Sequence, residues 1–164
     1  MIDEIINKLG LEPLPEEGGY FRQTYKSSLK IPGTSKQREA ARSLGTAIFY
    51  LITPKQFSAL HRVSSDEIFH FYLGDPVEML QINASGESKR IILGSKILDG
   101  QEVQVVVPSG MWQGTRLVRG GKYALLGTTV IPGFEFSDFE LGKRASLTAR
   151  FPHLKEDIRR YTRP

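Results

Sequence analysis

One stretch of the sequence, residues 57–76, joins strand-like apolar character to ionisable side chains and so limits the folds open to the chain. It carries His61, Glu67 and His70 within ten positions. Successive side chains of a strand alternate between faces, so a hairpin closing at residues 64–66 would bring His61 and Glu67 to the same interior. This arrangement predicts a polar site inside an otherwise apolar barrel or sandwich. The alternative is a cross-strand histidine–glutamate pair that only stabilises the hairpin.

Short apolar segments recur along the chain, separated by glycine and proline turns, with little helical periodicity between them. Segments of this kind cover residues 20–26, 46–53, 77–83, 102–108 and 122–132. Helical spacing of apolar residues is found near the two ends, at residues 2–9, 143–150 and 154–161. The pattern is typical of a mainly β chain, an antiparallel sandwich or jelly roll with short terminal helices.

Length and composition favour one globular domain over residues 1–164. The chain has 164 residues, of which 40% are hydrophobic, enough for a substantial core. It has no cysteine, which excludes disulfides and thiolate metal sites and fits a reducing compartment. The first ten residues are too short and too acidic for a signal peptide, and no apolar run approaches the about 20 residues that span a membrane. We therefore expect a cytoplasmic protein with no membrane partner.

The net charge of +4 suggests a nucleic-acid partner, but the distribution of the charge argues against one. Residues 26–42 hold five basic side chains and one acidic one, and residues 143–164 hold seven basic and two acidic ones. The basic character therefore belongs to one loop and one tail. Nucleic-acid-binding domains usually show a basic stripe interleaved with aromatic residues, or a recognisable module, and neither is visible. No nucleic-acid partner is expected.

Two short patterns resemble the sequence motifs of the cupin superfamily. His61, Val63, Glu67 and Gly74 have the spacing of the first motif, and VVVPSGMWQG at residues 105–114 is similar to the second. The opening EEGGYFRQTY and the later TTVIPGFEFSDFEL resemble a cupin branch that is similar in fold to the dTDP-sugar 3,5-epimerases. The resemblance implies an antiparallel double-stranded β-helix, a jelly-roll barrel, over nearly the whole chain.

The resemblance also bears on metal binding, because cupins hold a metal with histidines and a glutamate. The second histidine of the first motif is Val63 here, and the last histidine of the second motif is Gln113. His61, Glu67 and Gln113 are thus weak candidate ligands only, and His70 has the opposite strand parity to Glu67. We expect no cofactor, with a divalent metal as the less favoured alternative.

The remaining pair resembles a general acid and base. His61 and Glu67 are the expected catalytic residues, with Tyr72 as the preferred tyrosine partner. Enclosure should raise the pKa of Glu67 and hold His61 in one tautomer. The side chains expected to wall or contact a ligand are Tyr20, Arg22, Phe49, Phe57, Phe69, Trp112, Gln113 and Tyr123.

These residues leave three functions open for a small polar or anionic ligand. The first is a sugar or sugar-nucleotide isomerase or epimerase with His61 as base. The second is a non-catalytic binding module, and the third is a metal-dependent cupin enzyme with an incomplete ligand set.

The loop at residues 27–43 would be a lid or a basic rim. A homodimer is expected, because the apolar runs at residues 46–53 and 133–141 exceed what one small barrel covers.

Overall fold

The fold consists of two facing antiparallel sheets, seen in a computed structural model that describes residues 1–32 and 41–164. The strands are β1 (Glu12–Pro13), β2 (Tyr20–Lys26), β3 (Lys30–Ile31), β4 (Arg42–Ser43), β5 (Thr46–Ile52), β6 (Ser58–Arg62), β7 (Asp66–Gly74), β8 (Val77–Ile82), β9 (Ser88–Leu93), β10 (Gln104–Val107), β11 (Trp112–Leu117), β12 (Ala124–Ile131) and β13 (Glu140–Leu141). The helices are α1 (Ile2–Leu9), α2 (Arg144–Arg150) and α3 (Lys155–Tyr161). The predicted antiparallel jelly roll with short terminal helices is confirmed.

The order of the strands explains where the core lies. One sheet runs β1-β2-β5-β12-β7-β10 and the other runs β13-β6-β11-β8-β9. Alternate residues of these strands point between the sheets and form the main core, which includes Tyr50, Phe69, Met79 and Leu126, each at most 1% exposed. This inner face is apolar over most of its area, so any polar side chain on it must find partners there.

The predicted hairpin between residues 57 and 74 is wrong in one respect. Strand β6 pairs with β11 and β13, whereas β7 pairs with β10 and β12, so the turn at residues 63–65 crosses from one sheet to the other. His61 and Glu67 therefore meet across the interior of the sandwich and not along one sheet. Alternation predicted that both side chains point inward, but it cannot distinguish a hairpin turn from a crossing between sheets.

Helices cover the outer faces of both sheets. The predicted helix at residues 2–9 is confirmed as α1, and its isoleucines pack with Leu51 and Leu125 on the outer face of the six-stranded sheet. Helices α2 and α3 pack on the outer face of the five-stranded sheet through Ile158 and Tyr161, among others. No helix in the described ranges is long and apolar enough to cross a membrane.

The loop predicted at residues 27–43 is only partly visible. Its two ends pair as β3 and β4, and residues 33–40 lie outside the described part of the chain. The lid and the basic rim predicted for it fall largely on those residues and stay predictions.

Replacing Ile158 by alanine should measure how strongly α3 is held on the sheet. Ile158 is 0% exposed and belongs to the cluster that joins the helices to β6, β8 and β11. Truncating such a side chain removes apolar burial and leaves a cavity, so we expect a loss of about 2–5 kcal/mol in the free energy of unfolding. Ile97→Ala, at a side chain 61% exposed, is the control and should cost no more than about 0.5 kcal/mol. Equal losses in the two variants, measured by chemical denaturation, would contradict this packing.

Candidate active site

A cavity of about 200 Å³ lies between the two sheets and opens beside the segment 134–136. Part of its polar lining comes from side chains that point inward from four strands and from one turn. They include Glu17, Thr46, Tyr50, His61, Glu67 and Thr128. Apolar residues complete the wall, among them Leu14, Phe21, Ile48, Val63 and Val130. The cavity is thus a mainly apolar chamber with a concentrated polar floor, the usual composition of a small-molecule site.

A backbone contact fixes which ring nitrogen of His61 carries the proton. Its side chain is almost fully buried, and Nδ1 lies 2.7 Å from the carbonyl oxygen of Ala59. A carbonyl can only accept a hydrogen bond, so Nδ1 carries the proton and Nε2 of the neutral ring has a free lone pair. Nε2 lies 3.8 Å from Oε1 of Glu17, and the Phe139 ring stacks on the imidazole at 5.3 Å. The expected single tautomer follows from Ala59 and not from Glu67.

Glu67 faces this histidine from the other sheet. Oε2 accepts a hydrogen bond of 2.6 Å from Nε2 of Gln113, and the Thr128 hydroxyl is a second donor to the carboxylate. Burial raises the pKa of Glu67 above its ordinary value, and the Glu17 carboxylate adds to this, although His61 and the two donors act in the opposite direction. The predicted direction is therefore confirmed. A carboxyl group with a raised pKa holds a proton at higher pH than usual and can act as an acid.

Glu17 belongs to the site and was not predicted. Its Oε1 accepts hydrogen bonds from the Ser58 hydroxyl at 2.7 Å and from the Tyr50 hydroxyl at 2.9 Å. Burial, with the Glu17 charge adding to it, raises the pKa of Tyr50 well above its usual value, so this phenol stays neutral and donates. Two glycines follow Glu17 directly, and Gly19 passes so near Tyr50 that an added Cβ would lie 2.6 Å from the ring. Adjacent glycines in a turn were the available signal of this close approach.

Five of the predicted site residues lie outside the cavity, on the outer face of the six-stranded sheet. These are Tyr20, Arg22, Phe49, Tyr72 and Tyr123. Tyr72 is 50% exposed and stacks beside His70, because it follows Glu67 by an odd number of positions on the same strand. The expectation that Tyr72 acts as the partner of His61 is therefore corrected. The outward direction predicted for His70 agrees with its contacts to Thr129 and Gln104.

Two further predicted ligand contacts also lie elsewhere. Trp112 packs on the outer face of the five-stranded sheet, with the Arg62 guanidinium 4.7 Å from its ring. Phe57 precedes β6 and lies between the guanidinium groups of Arg116 and Arg163, at 5.1 and 4.4 Å. Phe69 points inward but belongs to the main core. The structure thus brings together His61, Glu67 and Gln113 and none of the other predicted contacts.

The aromatic wall comes instead from Phe21 and from the segment after β12. Phe134 and Phe136 line the cavity, and Phe139 covers His61. This segment, residues 133–139, is a turn with a short 3-10 helix at Phe136–Asp138, although its aromatic and acidic residues alternate as in a strand. Arg42 holds it in place by pairing with the Asp138 carboxylate and by donating to the carbonyl oxygen of Gly133 at 3.0 Å. Alternation of aromatic and acidic residues is a weak sign of a strand where so many turn residues are present.

The described side chains around the cavity do not form a metal site. Val63 lines the cavity where the resemblance would place a histidine, and the Gln113 amide nitrogen is bonded to Glu67. Within the described residues, no group of three or more histidine, cysteine, aspartate or glutamate side chains is arranged to hold a metal ion. His61 and Glu67 therefore lack the further ligands that a tightly bound divalent ion needs.

The fold and this site define a cupin. Residues 3–142 match the family described as Cupin superfamily (DUF985), and the chain belongs to that family. It is 26% identical over 132 residues to a protein of Saccharomyces cerevisiae named Uncharacterized protein YML079W, a match that covers 74% of this chain and 66% of the relative's length.

Solved structures share the same architecture. A hypothetical protein from Leishmania major superposes with a TM-score of 0.89 at 28% identity, covering 99% of this chain and 98% of the other. Protein SO0799 from Shewanella oneidensis gives 0.87 at 31% identity, covering 99% and 97%. Oxalate decarboxylase from Bacillus subtilis gives 0.55 at 15% identity, covering 92% of this chain and 37% of that enzyme, which shows likeness of fold alone.

The raised pKa of Glu67 should appear in the pH dependence of stability. The unfolded chain ionises this carboxyl group near the ordinary value of 4.5, whereas the folded protein ionises it at higher pH. The contribution of Glu67 to stability is therefore fully present below about pH 4.5 and is lost as the pH rises through the folded pKa. Glu67→Gln has no such loss, so its free energy of unfolding relative to the wild type should rise over that window.

Denaturant unfolding at closely spaced pH values from about pH 4 to pH 8 measures this difference. Glu102→Gln removes an exposed carboxyl group and is the matched control. A difference between Glu67→Gln and the wild type that does not change with pH would contradict the assignment.

Proposed function

We propose that this cupin binds a small polar molecule and isomerises or epimerises a sugar or sugar derivative, with His61 exchanging a proton with a substrate carbon and Glu67 exchanging one with a substrate oxygen. The observation that supports this most directly is the fixed tautomer of His61, which leaves a free lone pair inside a buried cavity opposite a carboxyl group with a raised pKa. Removing and returning a proton at a carbon next to a carbonyl group requires a base and an acid, and these two groups lie on opposite walls of the cavity.

The proposed reaction begins with His61. Nε2 removes the proton from the hydroxyl-bearing carbon next to the substrate carbonyl, and the electron pair of that C–H bond forms a carbon–carbon double bond. The Glu67 carboxyl group gives its proton to the carbonyl oxygen, producing an enediol. Return of a proton to a carbon, with loss of the hydroxyl proton to Glu67, yields the isomer or the epimer and restores both groups. The chemistry balances without an external oxidant or reductant.

Two neighbours support these roles. The Glu17 carboxylate, 3.8 Å from Nε2 of His61, stabilises the imidazolium that forms when His61 takes up a proton. Gln113 donates to Oε2 of Glu67 and fixes the direction of the carboxyl group. Each reacting group is thus oriented by a neighbour that does not itself need to react, as in other acid–base sites.

The size and charge of the cavity limit the ligand. At about 200 Å³ it is smaller than most drug-sized pockets and accommodates the reacting ring or chain and not a complete sugar nucleotide. Its floor holds the carboxyl groups of Glu17 and Glu67, and the Lys26 ammonium at the mouth lies 4.0 Å from the Glu135 carboxylate. Of the two expected kinds of ligand, polar or anionic, these groups favour one whose reacting portion is neutral and polar. A charged or bulky remainder would lie outside the mouth.

Replacing His61 by asparagine tests the proposal. Asparagine can still donate to the carbonyl oxygen of Ala59, so the melting temperature should stay near that of the wild type. It cannot accept a proton near neutral pH, so exchange should fall by about 10²–10⁴-fold. The measurement is loss of carbon-bound protons from a panel of aldoses, ketoses and their derivatives in D2O, followed by proton NMR.

His70→Asn is the matched control, because His70 lies on the outer face of the same fold and touches Thr129 and Gln104. It should exchange protons like the wild type. A wild-type protein that binds members of the panel but exchanges no carbon-bound proton would refute the enzyme and leave a binding module. A large stability loss in His61→Asn with unchanged exchange would make the pair structural.

We also propose a homodimer. The run at residues 46–53 does not support it, since β5 is an interior strand covered by the core and by α1. The support is the open edge of the six-stranded sheet, where β10 leaves Val106 52% exposed beside Val103, which is 41% exposed. Open apolar edges favour pairing with another chain. Sedimentation velocity at micromolar concentration should show a dimer, and a monomer there would refute it.

A further inference from the structure

The guanidinium group of Arg163 holds the turn that carries Glu17, although Arg163 lies at the other end of the described chain. Its Nη1 donates to the carbonyl oxygens of Glu17 at 2.8 Å and Glu16 at 3.2 Å. Its Nη2 donates to the carbonyl oxygen of Phe57 at 2.9 Å, and the group lies 4.4 Å from the Phe57 ring. One planar cation thus ties the Glu17 turn to the residue that precedes β6.

This turn has a backbone that needs outside support. Glu16 has φ 63°, a left-handed value that is unusual for any residue other than glycine, and Gly18 follows at φ 96°. A Cβ on Gly18 would collide with Nη2 of Arg163, so the guanidinium occupies the space that a side chain at position 18 would fill. The sequence of the turn and the position of the arginine therefore fit each other.

Helices α2 and α3 fix the backbone from which the Arg163 side chain extends. Arg144 donates to the hydroxyl group of Thr162 at 2.8 Å, and that hydroxyl donates to the carbonyl oxygen of Ile158 at 2.7 Å. Thr162, the residue before Arg163, is therefore bonded to both α2 and α3. A displacement of these helices from the five-stranded sheet would move the guanidinium away from the Glu17 turn.

We propose that Arg163 is a positioning residue of the site, which acts by holding the Glu17 carboxylate beside Nε2 of His61. Its catalytic meaning rests on the proposed function, because Glu17 is there the anion that stabilises the protonated base. The positional claim stands apart from that function, since it concerns the distance between two side chains. Arg163 touches neither His61 nor the cavity and would act only through Glu17.

The test compares the His61 ring in the wild type and in four variants by nitrogen-15 NMR at one fixed pH near neutrality. Glu17→Gln keeps an acceptor for Tyr50 and Ser58 but removes the charge, and it defines the His61 signals without the neighbouring anion. Arg163→Ala should shift the His61 ring signals in the same direction, and the double variant should differ little from Glu17→Gln. Arg159→Ala, which removes a guanidinium paired with Glu156 on the surface of α3, should match the wild type.

A conservative variant keeps the test decisive if Arg163→Ala folds poorly. Lysine has no planar fork and donates from a single nitrogen, so it cannot reproduce contacts made from both Nη1 and Nη2, and Arg163→Lys should fold and still show part of the His61 shift. Wild-type His61 signals in folded Arg163→Ala or Arg163→Lys, whatever the melting temperature, would overturn the proposal. So would effects of Arg163→Ala and Glu17→Gln that simply add.

A kinetic measurement separates this proposal from the proposed function. If carbon-proton exchange is found, Arg163→Ala should lower it by about a hundredfold, as expected for a misplaced catalytic group. If no exchange is found in any protein, the isomerase assignment fails while the NMR result still decides the role of Arg163.

Discussion

The structure depends on hydrogen bonding to two carboxyl groups that lie in a largely apolar interior. A buried carboxylate without partners is strongly destabilising, so each group needs donors held at fixed positions. Glu17 finds two hydroxyl groups, and Glu67 finds an amide and a hydroxyl. The side chains of this network come from five strands of the two sheets: Tyr50 from β5, Ser58 and His61 from β6, Glu67 from β7, Gln113 from β11 and Thr128 from β12. Satisfying the carboxyl groups therefore also fixes how the sheets face each other.

Packing of the helices explains why so many aromatic residues lie outside the cavity. Both sheets are covered by helices, which need apolar partners on the outer faces. Trp112 packs in the cluster of α2 and α3, while Tyr20 and Phe49 pack in the cluster of α1. Trp112 precedes the inward-pointing Gln113, and Phe49 precedes the inward-pointing Tyr50. Because successive side chains of a strand point to opposite faces, a residue next to one of these in sequence points away from the cavity. The polar interior is consequently lined by aromatic rings from the segment after β12 and from Phe21.

The fold and part of the polar site could be predicted from the sequence, for identifiable reasons. Motif spacing and strand alternation together place His61, Glu67 and Gln113 inward, and all three converge. Alternation also excludes Tyr72, which shares its face with His70. Glu17 could not be found in this way, because its position depends on a turn supported by Arg163, a contact across most of the chain. The strands that pair with β6 and β7 could not be predicted either, because they are distant in sequence.

Two replacements within the cupin motifs account together for the chemistry proposed here. A divalent ion near Glu67 would favour its ionised form and lower its pKa. Val63 offers no ligand, and Gln113 presents a neutral amide that donates to the carboxylate. Burial is then the strongest influence on Glu67, with only His61 and neutral donors to oppose it, and its pKa rises. In the proposed reaction, the residues that replace two motif histidines are therefore the same ones that leave Glu67 to hold and donate a proton.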